Sequence, residues 1–182
     1  MQGETPNQAQ NQAQNQAQNS AQGGASSAEK NRAKPIINLV RQYVKNLNMN
    51  VDIDPLFDLL AVDEQPTISV NLSVEGMAFG EDLYEAQISV TASATLADNT
   101  KLFEVSLHYG GLFKLSQIPE SDLEPLLLVY CPGIIFPFAR RVISDVTRDA
   151  GFPPLLLDLV DFAKLYQDKL SSHIESNMES AA

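Results

Sequence analysis

The sequence YEAQISVTASATLADNTKLFEVSLHY, residues 84–109, contains two runs in which apolar and polar residues alternate. The first run covers Tyr84–Leu96 and the second covers Phe103–Tyr109. Side chains of a β-strand point alternately to opposite faces, so this period predicts two strands that each have an apolar and a polar face. Asp98-Asn99 between them is typical of a tight turn. The stretch therefore predicts an antiparallel hairpin with one face in contact with water.

Two further runs with the same period precede this hairpin. Apolar residues alternate with polar ones over Leu47–Ile53 and again over Ile68–Val74. Gly76–Asp82 is typical of a looser turn, and Gly110-Gly111 at the end of the fourth run predicts a bulge or a bend. Four such runs predict an antiparallel sheet of four strands.

The periodicity changes after Pro119, where helical signals replace strand signals. Ser121–Glu124 forms a capping box that predicts a short helix, which ends near Cys131-Pro132 because the residue before a proline disfavours helical backbone. A long helix is predicted over Ile134–Asp149, and a last one over Asp161–Leu170 with Asp161 as its N-cap. The predicted fold class is α+β: a four-stranded antiparallel sheet followed by a long helix and a shorter C-terminal helix.

One folded domain is expected, over residues 35–170. Residues 1–34 form a segment rich in Gln, Asn and Ala, in which residues 7–22 repeat Asn-Gln-Ala-Gln with a decayed last copy. The repeat has no large apolar side chain whose burial could offset the loss of chain entropy. We therefore predict a disordered tail over residues 1–34, and a flexible tail over residues 171–182.

The charge balance limits the classes of partner. The chain has 182 residues and a formal net charge of −11, which argues against nucleic acid and anionic membranes, since both bind clustered Lys and Arg. Cys131 is the only cysteine, so no internal disulfide can form, and a reducing compartment is favoured. No secretory signal and no apolar run of roughly 20 residues is present. A cytoplasmic protein without direct membrane insertion is expected.

Residues suited to catalysis are sparse. His108, His173 and Cys131 lie far apart in the sequence, without the spacing of a zinc site or of a nucleophile and its base. No Gly-rich phosphate loop, nucleophile elbow or Walker lysine is present. We therefore expect no enzyme activity, no cofactor and no metal. A hydrolase that depends on Cys131 or His108 is a distant alternative.

The apolar content exceeds what four strands and a few helices can cover. Ile134-Ile135-Phe136, Leu155-Leu156-Leu157 and the apolar strand faces all need partners. Exposed apolar surface of this extent marks an interface or a binding groove. The sequence therefore predicts an oligomer with an exposed apolar groove.

Several segments resemble the SecB family of protein-export chaperones. The most specific is YCPGIIFPFAR over residues 130–140, which is similar to the family's Cys-Pro followed by Leu/Ile-Phe-Pro-Tyr/Phe-Ala-Arg. Others are YVKNL at residues 43–47, YGGLF at residues 109–113 and GFPPL at residues 151–155, followed by Val160-Asp161-Phe162 and Leu165-Tyr166. Their order and spacing resemble the family across about residues 36–170.

The resemblance implies an ATP-independent chaperone, a holdase that binds unfolded preproteins, keeps them competent for translocation and delivers them to the SecA ATPase. It implies a homotetramer built as a dimer of dimers, with no nucleotide or metal. In the family, clients bind the loop after the first strand, the loop between the helices and the last helix. The client-binding residues carried over are Phe57, Leu59, Leu60, Phe152, Leu155, Leu156, Leu157, Phe162, Leu165 and Tyr166.

Two further surfaces follow from the resemblance. The implied oligomer interface consists of Phe103, Val105, Leu107, Tyr109, Arg140 and Val142. The four β residues among these could equally be subunit core. The implied SecA-facing positions are Asn46, Asn50, Glu104 and Ser106. The family usually carries acids where this chain has Asn46, Asn50 and Ser106, and we expect Glu104, with Asp52, Asp54 and Glu85, to compensate.

Two alternatives of other classes stay open. A scaffolding protein of the same fold would have a dry interface, no exposed groove and no clients. A chaperone outside protein export, as among relatives paired with toxin–antitoxin systems, would hold clients and ignore SecA.

Overall fold

A computed structural model of the chain describes residues 35–52 and 65–179. Four strands come first, and together they form one antiparallel sheet in the spatial order β1-β4-β3-β2. The strands are β1 Ile36–Val51, β2 Thr67–Gly80, β3 Leu83–Thr95 and β4 Lys101–Ser116. Helices follow the strands, so the predicted α+β class is confirmed. Phe57, Leu59 and Leu60 lie outside the described residues.

The core lies on one face of the two central strands. Opposite each other across β3 and β4 are Val90 and Leu107, then Ala92 and Val105. All four side chains are buried. The opposite face of the sheet, which we call the outer face, is the polar one, with register pairs such as Ser89 with His108. The alternation in the sequence thus predicted both faces correctly.

Strand β1 begins eleven residues before the first alternating run that the sequence showed. Its register with β4 shifts twice, between Leu39 and Arg41 and between Val44 and Asn46. Each shift inserts an extra residue, which reverses the alternation of side chains and hides the strand from a period-two pattern. The strand therefore begins at Ile36 and extends well before the alternating run that starts at Leu47.

Gly110 and Gly111 are not a bulge, because β4 pairs through both of them with both neighbouring strands. They allow close approach of side chains. A Cβ on Gly110 would lie 2.8 Å from Glu85 Oε1, and one on Gly111 would lie 2.8 Å from Ile135 Cγ2. The loose turn predicted over residues 76–82 is also shorter, because β2 continues to Gly80 and the chain reverses at Glu81-Asp82.

The two helices predicted after Pro119 form one continuous helix. Helix α1, Glu120–Pro125, runs into a π-helical turn, Leu126–Tyr130, and then into α2, Cys131–Asp149. Cys131 is helical, with φ −60° and ψ −44°, although a proline follows it. The wider i→i+5 turn before Pro132 accommodates a residue that has no N–H. The predicted capping box is absent, since no side chain caps α1.

The long helix covers the sheet through one stripe of side chains. Ile135, Ala139 and Ile143 of α2 are fully buried, and a Cβ on Gly111 of β4 would meet Ile135. By length and composition Glu120–Asp149 could span a membrane, with a mean hydropathy of 1.6, and 39% of its most apolar window is buried in the fold. The expectation that no apolar segment of roughly 20 residues is present is therefore wrong, although the stripe of this helix that faces the sheet is buried.

Helix α3 covers Phe162–Glu179. Asp161 Oδ1 accepts a hydrogen bond from the Lys164 N–H at 3.0 Å, so the predicted N-cap is confirmed. The predicted end at Leu170 is wrong, because the helix continues for two more turns. It therefore enters the predicted flexible tail over residues 171–182, while the predicted tail over residues 1–34 lies outside the described residues.

Candidate functional site

An apolar groove lies between the edge strand β2 and helix α3. Its volume is about 350 Å³. Leu72 and Val74 come from β2, Leu128 comes from the π-helical turn, and Leu165 and Tyr166 come from α3. Asp168, Lys169 and Ser172 supply its polar rim. Three separate elements of the chain therefore meet to form this groove, which we call the β2–α3 groove.

A second depression of about 530 Å³ adjoins the β2–α3 groove, and the two share Leu128 and Lys169. It lies between β2 and α1 and has both apolar lining, such as Leu123 and Leu127, and carboxylates. Gly76 permits this arrangement, because a Cβ there would lie 2.4 Å from Leu127 Cδ2. The helix therefore packs directly on the backbone of β2.

The segment between α2 and α3 is held by Thr147. This buried side chain accepts a hydrogen bond from the Leu155 N–H at 2.9 Å and donates to the Ile143 carbonyl at 2.9 Å. Leu156 and Leu159 beyond it are 63% and 85% exposed. The segment is thus anchored at its start while it presents leucines to solvent.

The structure divides the predicted client-binding residues into two groups. Phe152, Leu157 and Phe162 are buried in the subunit, where the Phe152 ring lies 4.8 Å from Phe103 and the Phe162 ring lies 5.6 Å from Phe136. Those that reach the surface are Leu155, Leu156, Leu165 and Tyr166. Leu165 and Tyr166 line the β2–α3 groove, so the surface group is the part that can contact a partner.

The predicted interface residues of β4 lie in the core of the subunit. Phe103, Val105, Leu107 and Tyr109 are each less than 7% exposed and lie on the side of the sheet that α2 covers. Val142 and Arg140 are half-buried. Arg140 Nε is buried without a hydrogen-bond partner among the described residues. Arg140 and Val142 are therefore the members of this set that a second subunit can reach.

The predicted SecA-facing positions lie together on the outer face. Asn50 is directly opposite Glu104, and Ser106 is opposite Asn48. Asn46 lies opposite His108, one step further along the same two strands. Glu104 is bound to Lys101, whose Nζ lies 2.6 Å from its carboxylate. Of these positions, only Glu104 contributes a carboxylate.

Glu85 cannot serve as a compensating acid, because it is 2% exposed. The Tyr43 hydroxyl donates to Glu85 Oε1 at 2.5 Å, and Lys45 Nζ lies 2.9 Å from Oε2. Burial by itself would raise the pKa of Glu85, but the hydrogen bonds from Tyr43 and Lys45 and the Lys45 charge hold it below the usual value. Burial and the contact with Glu85 raise the pKa of Tyr43 to about 12. The cluster ties the edge strand β1 to β3 across β4.

The residues considered for catalysis have structural contacts. Burial raises the pKa of the Cys131 thiol to about 12, which leaves it protonated and unreactive at neutral pH. His108 Nδ1 lies 3.3 Å from both Gln87 Nε2 and Ser89 Oγ on the outer face. Within residues 35–52 and 65–179 no group of three His, Cys, Asp or Glu side chains could hold a metal ion.

Sequence reasoning missed the β2 side of the groove. Leu72 and Val74 were predicted as ordinary strand residues, and Leu128 as part of a short helix. The alternation in the sequence of β2 did show that Leu72 and Val74 share its apolar face. Only the fold shows that β2 is an edge strand and that this face lies beside α3.

The profile of the family SecB, described as preprotein translocase subunit SecB, matches residues 30–173. The protein-export protein SecB of Maricaulis maris is 44% identical over 138 residues, which cover 75% of this chain and 78% of that protein. SecB of Parvibaculum lavamentivorans is 41% identical over 77% of this chain and 82% of its own.

Among solved structures, the fold is similar to that of the SecB-like chaperone of Mycobacterium tuberculosis in complex with a ChAD peptide from the HigA1 antitoxin. The TM-score is 0.56 at 13% identity, over 68% of this chain and 90% of that one. At this identity the likeness concerns the fold alone. The profile match and the identities show that the chain belongs to the SecB family, which is a family of protein-export chaperones and not of enzymes.

Proposed function

We propose that this protein is an ATP-independent holdase that binds unfolded preproteins, keeps them competent for translocation and delivers them to the SecA ATPase. The β2–α3 groove carries the proposal. Leu72, Leu165 and Tyr166 supply apolar and aromatic surface there, beside the charged side chains of Asp168 and Lys169. Such a surface recognises apolar side chains of many sequences.

The backbone of β2 adds a second means of recognition that is independent of sequence. Strand β2 pairs only with β3 among the described residues, so within that part of the chain the N–H and C=O groups of its other edge have no strand partner. An extended polypeptide can add to such an edge through main-chain hydrogen bonds. Alternate side chains of that polypeptide would then enter the β2–α3 groove.

A homotetramer, arranged as a dimer of dimers in the cytoplasm, is part of the same proposal. Val44 and Leu47 on β1 and Tyr130 and Phe138 on the long helix are 39–53% exposed. Large apolar side chains at this exposure support contacts between copies of the chain. The half-buried Arg140 and Val142 lie on the same helix and belong to the proposed interface.

The experiment is a holding assay without ATP. A denatured presecretory protein is diluted into buffer with the purified chaperone, and its solubility and later translocation into membrane vesicles are measured. The double variant Leu165→Ser/Tyr166→Ser should lose most of the holding while its light-scattering mass stays unchanged. Gln167→Ser, an exposed neighbour on the same helix, is the matched control. Normal holding by the double variant would show that this groove is not the client site.

Delivery to SecA needs a separate measurement, since the outer face departs from the family pattern at Asn46, Asn50 and Ser106. We expect SecA to bind the oligomer and Glu104→Gln to weaken that binding. Each rim charge contributes about 1 kcal/mol or less. Client holding without any SecA binding would favour the alternative of a chaperone that acts outside export.

A further inference from the structure

The charge and polarity of the outer face change along the strands of the sheet. At the end opposite the proposed SecA-facing positions, one row across the four strands reads Arg41, Leu112, Glu85 and Met77. The next row contains Lys114 and Leu83. Glu85 is buried beneath its neighbours, so the accessible groups are two cations and three apolar side chains. We call Arg41, Lys114, Leu83, Leu112 and Met77 the basic–apolar patch.

The two cations of the patch have no ion-pair partner among the described residues. Arg41 and Lys114 are exposed, and neither forms an ion pair within the part of the chain that the structure describes. Lys45 is neutralised by Glu85, and Asp82 accepts a hydrogen bond from Ser116 at 2.7 Å. In a chain of net charge −11, two adjacent unpaired cations form a local site for an anion.

The apolar part of the patch is accessible as well. Met77 is 54% exposed, and Ile36 at the edge of the sheet is 50% exposed, while Leu83 and Leu112 are half-buried. Carboxylates would pair with the cations, and apolar side chains would cover the leucines and the methionine. We propose that the basic–apolar patch is a docking site for an extended, acidic and apolar segment of a partner protein, distinct from the β2–α3 groove although Met77 also lines the depression that adjoins that groove.

The spacing of the patch defines the segment that it accepts. Arg41 and Lys114 are diagonal neighbours on adjacent strands, about 7–8 Å apart, which matches the roughly 6.6 Å between residues i and i+2 of an extended chain. Three strand separations, about 14 Å, lie between Arg41 and Met77. Lys114 and Met77 are two strand separations and two residues apart, about 12 Å, which about four residues of an extended chain cover. A segment with acids at positions 1 and 3 and an apolar residue at position 7 therefore spans the patch.

The test uses the full chain and a fluorescent peptide, Asp-Ser-Asp-Ser-Leu-Ser-Phe, with its Asn-Ser-Asn-Ser-Leu-Ser-Phe counterpart as the uncharged probe. Binding is measured by anisotropy. The acidic peptide should bind more tightly than the amide peptide. Arg41→Gln and Lys114→Gln should each weaken its binding about threefold, and the double variant about tenfold, as expected for surface charge pairs. Met77→Ser should weaken both peptides.

The control Lys164→Gln changes the net charge equally on exposed α3 and should leave binding unchanged. If the acidic peptide does not bind, or binds equally to the Arg41→Gln/Lys114→Gln variant, the proposal is wrong. Loss of binding in Leu165→Ser/Tyr166→Ser would place the peptide in the β2–α3 groove and would also overturn it. The proposal would also be wrong if phosphatidylserine vesicles bound through Arg41 and Lys114 and the peptide did not bind. None of these results affects the holdase proposal, which the holding assay tests separately.

Discussion

Thr147 Oγ1 and the backbone N–H of Leu155 form a hydrogen bond of 2.9 Å that joins helix α2 to the segment before α3. Thr147 is fully buried and also donates to the Ile143 carbonyl within its own helix. This hydroxyl therefore fixes the start of the segment that carries the exposed Leu156.

Thr147→Val should increase the mobility of the segment between α2 and α3, while the side chain at this position keeps nearly the same shape. The valine has nearly the same volume but leaves the Leu155 N–H without its acceptor, at a cost of about 1–2 kcal/mol. We expect faster amide hydrogen exchange over residues 151–157 and weaker client holding, with unchanged helical circular dichroism. Thr147→Ser keeps the hydroxyl and should exchange like the wild type in this segment. Equal exchange in the Val and Ser variants would contradict this role.

Glu85→Gln should reduce stability in a manner that depends on pH. The pKa of Glu85 is lower in the folded chain than its ordinary value of 4.5, so its stabilisation is complete above that value and is lost as pH falls through the lower folded pKa. At pH 7 we expect a loss of about 1–2 kcal/mol, because Lys45 loses its partner. Urea unfolding at pH 7 and below pH 4 measures the difference, which should shrink at the lower pH. A difference that is constant with pH would contradict the Lys45–Glu85 pair.

Gly76→Ala should destabilise the fold through a steric contact. The new Cβ would lie 2.4 Å from Leu127 Cδ2, so the long helix must move away from β2, at about 1–3 kcal/mol. In a double-mutant cycle, Leu127→Ala should relieve part of that cost. Gly133→Ala is the control: outside the backbone of its own helix, no described atom lies within 4 Å of its Cβ position, and alanine in a helix stabilises by about 0.5–1 kcal/mol. Additive effects of Gly76→Ala and Leu127→Ala would exclude the contact.

Leu107→Arg and Val44→Arg should have different effects, because Leu107 lies in the subunit core and Val44 belongs to the proposed interface between subunits. Leu107 is fully buried, so an arginine there places an unpaired charge in the core, and we expect loss of the folded subunit at a cost above about 3 kcal/mol. Val44 is 45% exposed, so the same change there should keep the subunit folded and lower the oligomer mass. Circular dichroism and light scattering distinguish the two results. A folded Leu107→Arg dimer would instead place Leu107 at a subunit interface.

Strands in which no inserted residue interrupts the alternation of apolar and polar side chains could be predicted from the sequence. The alternation over Tyr84–Leu96 and Phe103–Tyr109 identified both central strands and their apolar faces, because no residue is inserted within those runs. Strand β1 was partly missed, since the shifts beside Val40 and Lys45 reverse the alternation. The continuous helix was predicted as two, because a π-helical turn overrides the usual effect of Pro132.

The sequence by itself determined the fold class, the family resemblance and the polar and apolar faces of the two central strands, since these depend on local periodicity and on short motifs. Only the tertiary structure decided which apolar residues are core and which are surface. Phe152 and Phe162 differ little in chemistry from Leu165 and Tyr166, yet the first two are buried and the others line a groove. Exposure depends on which elements pack together, and contacts between distant segments such as β2 and α3 are not encoded in any local pattern.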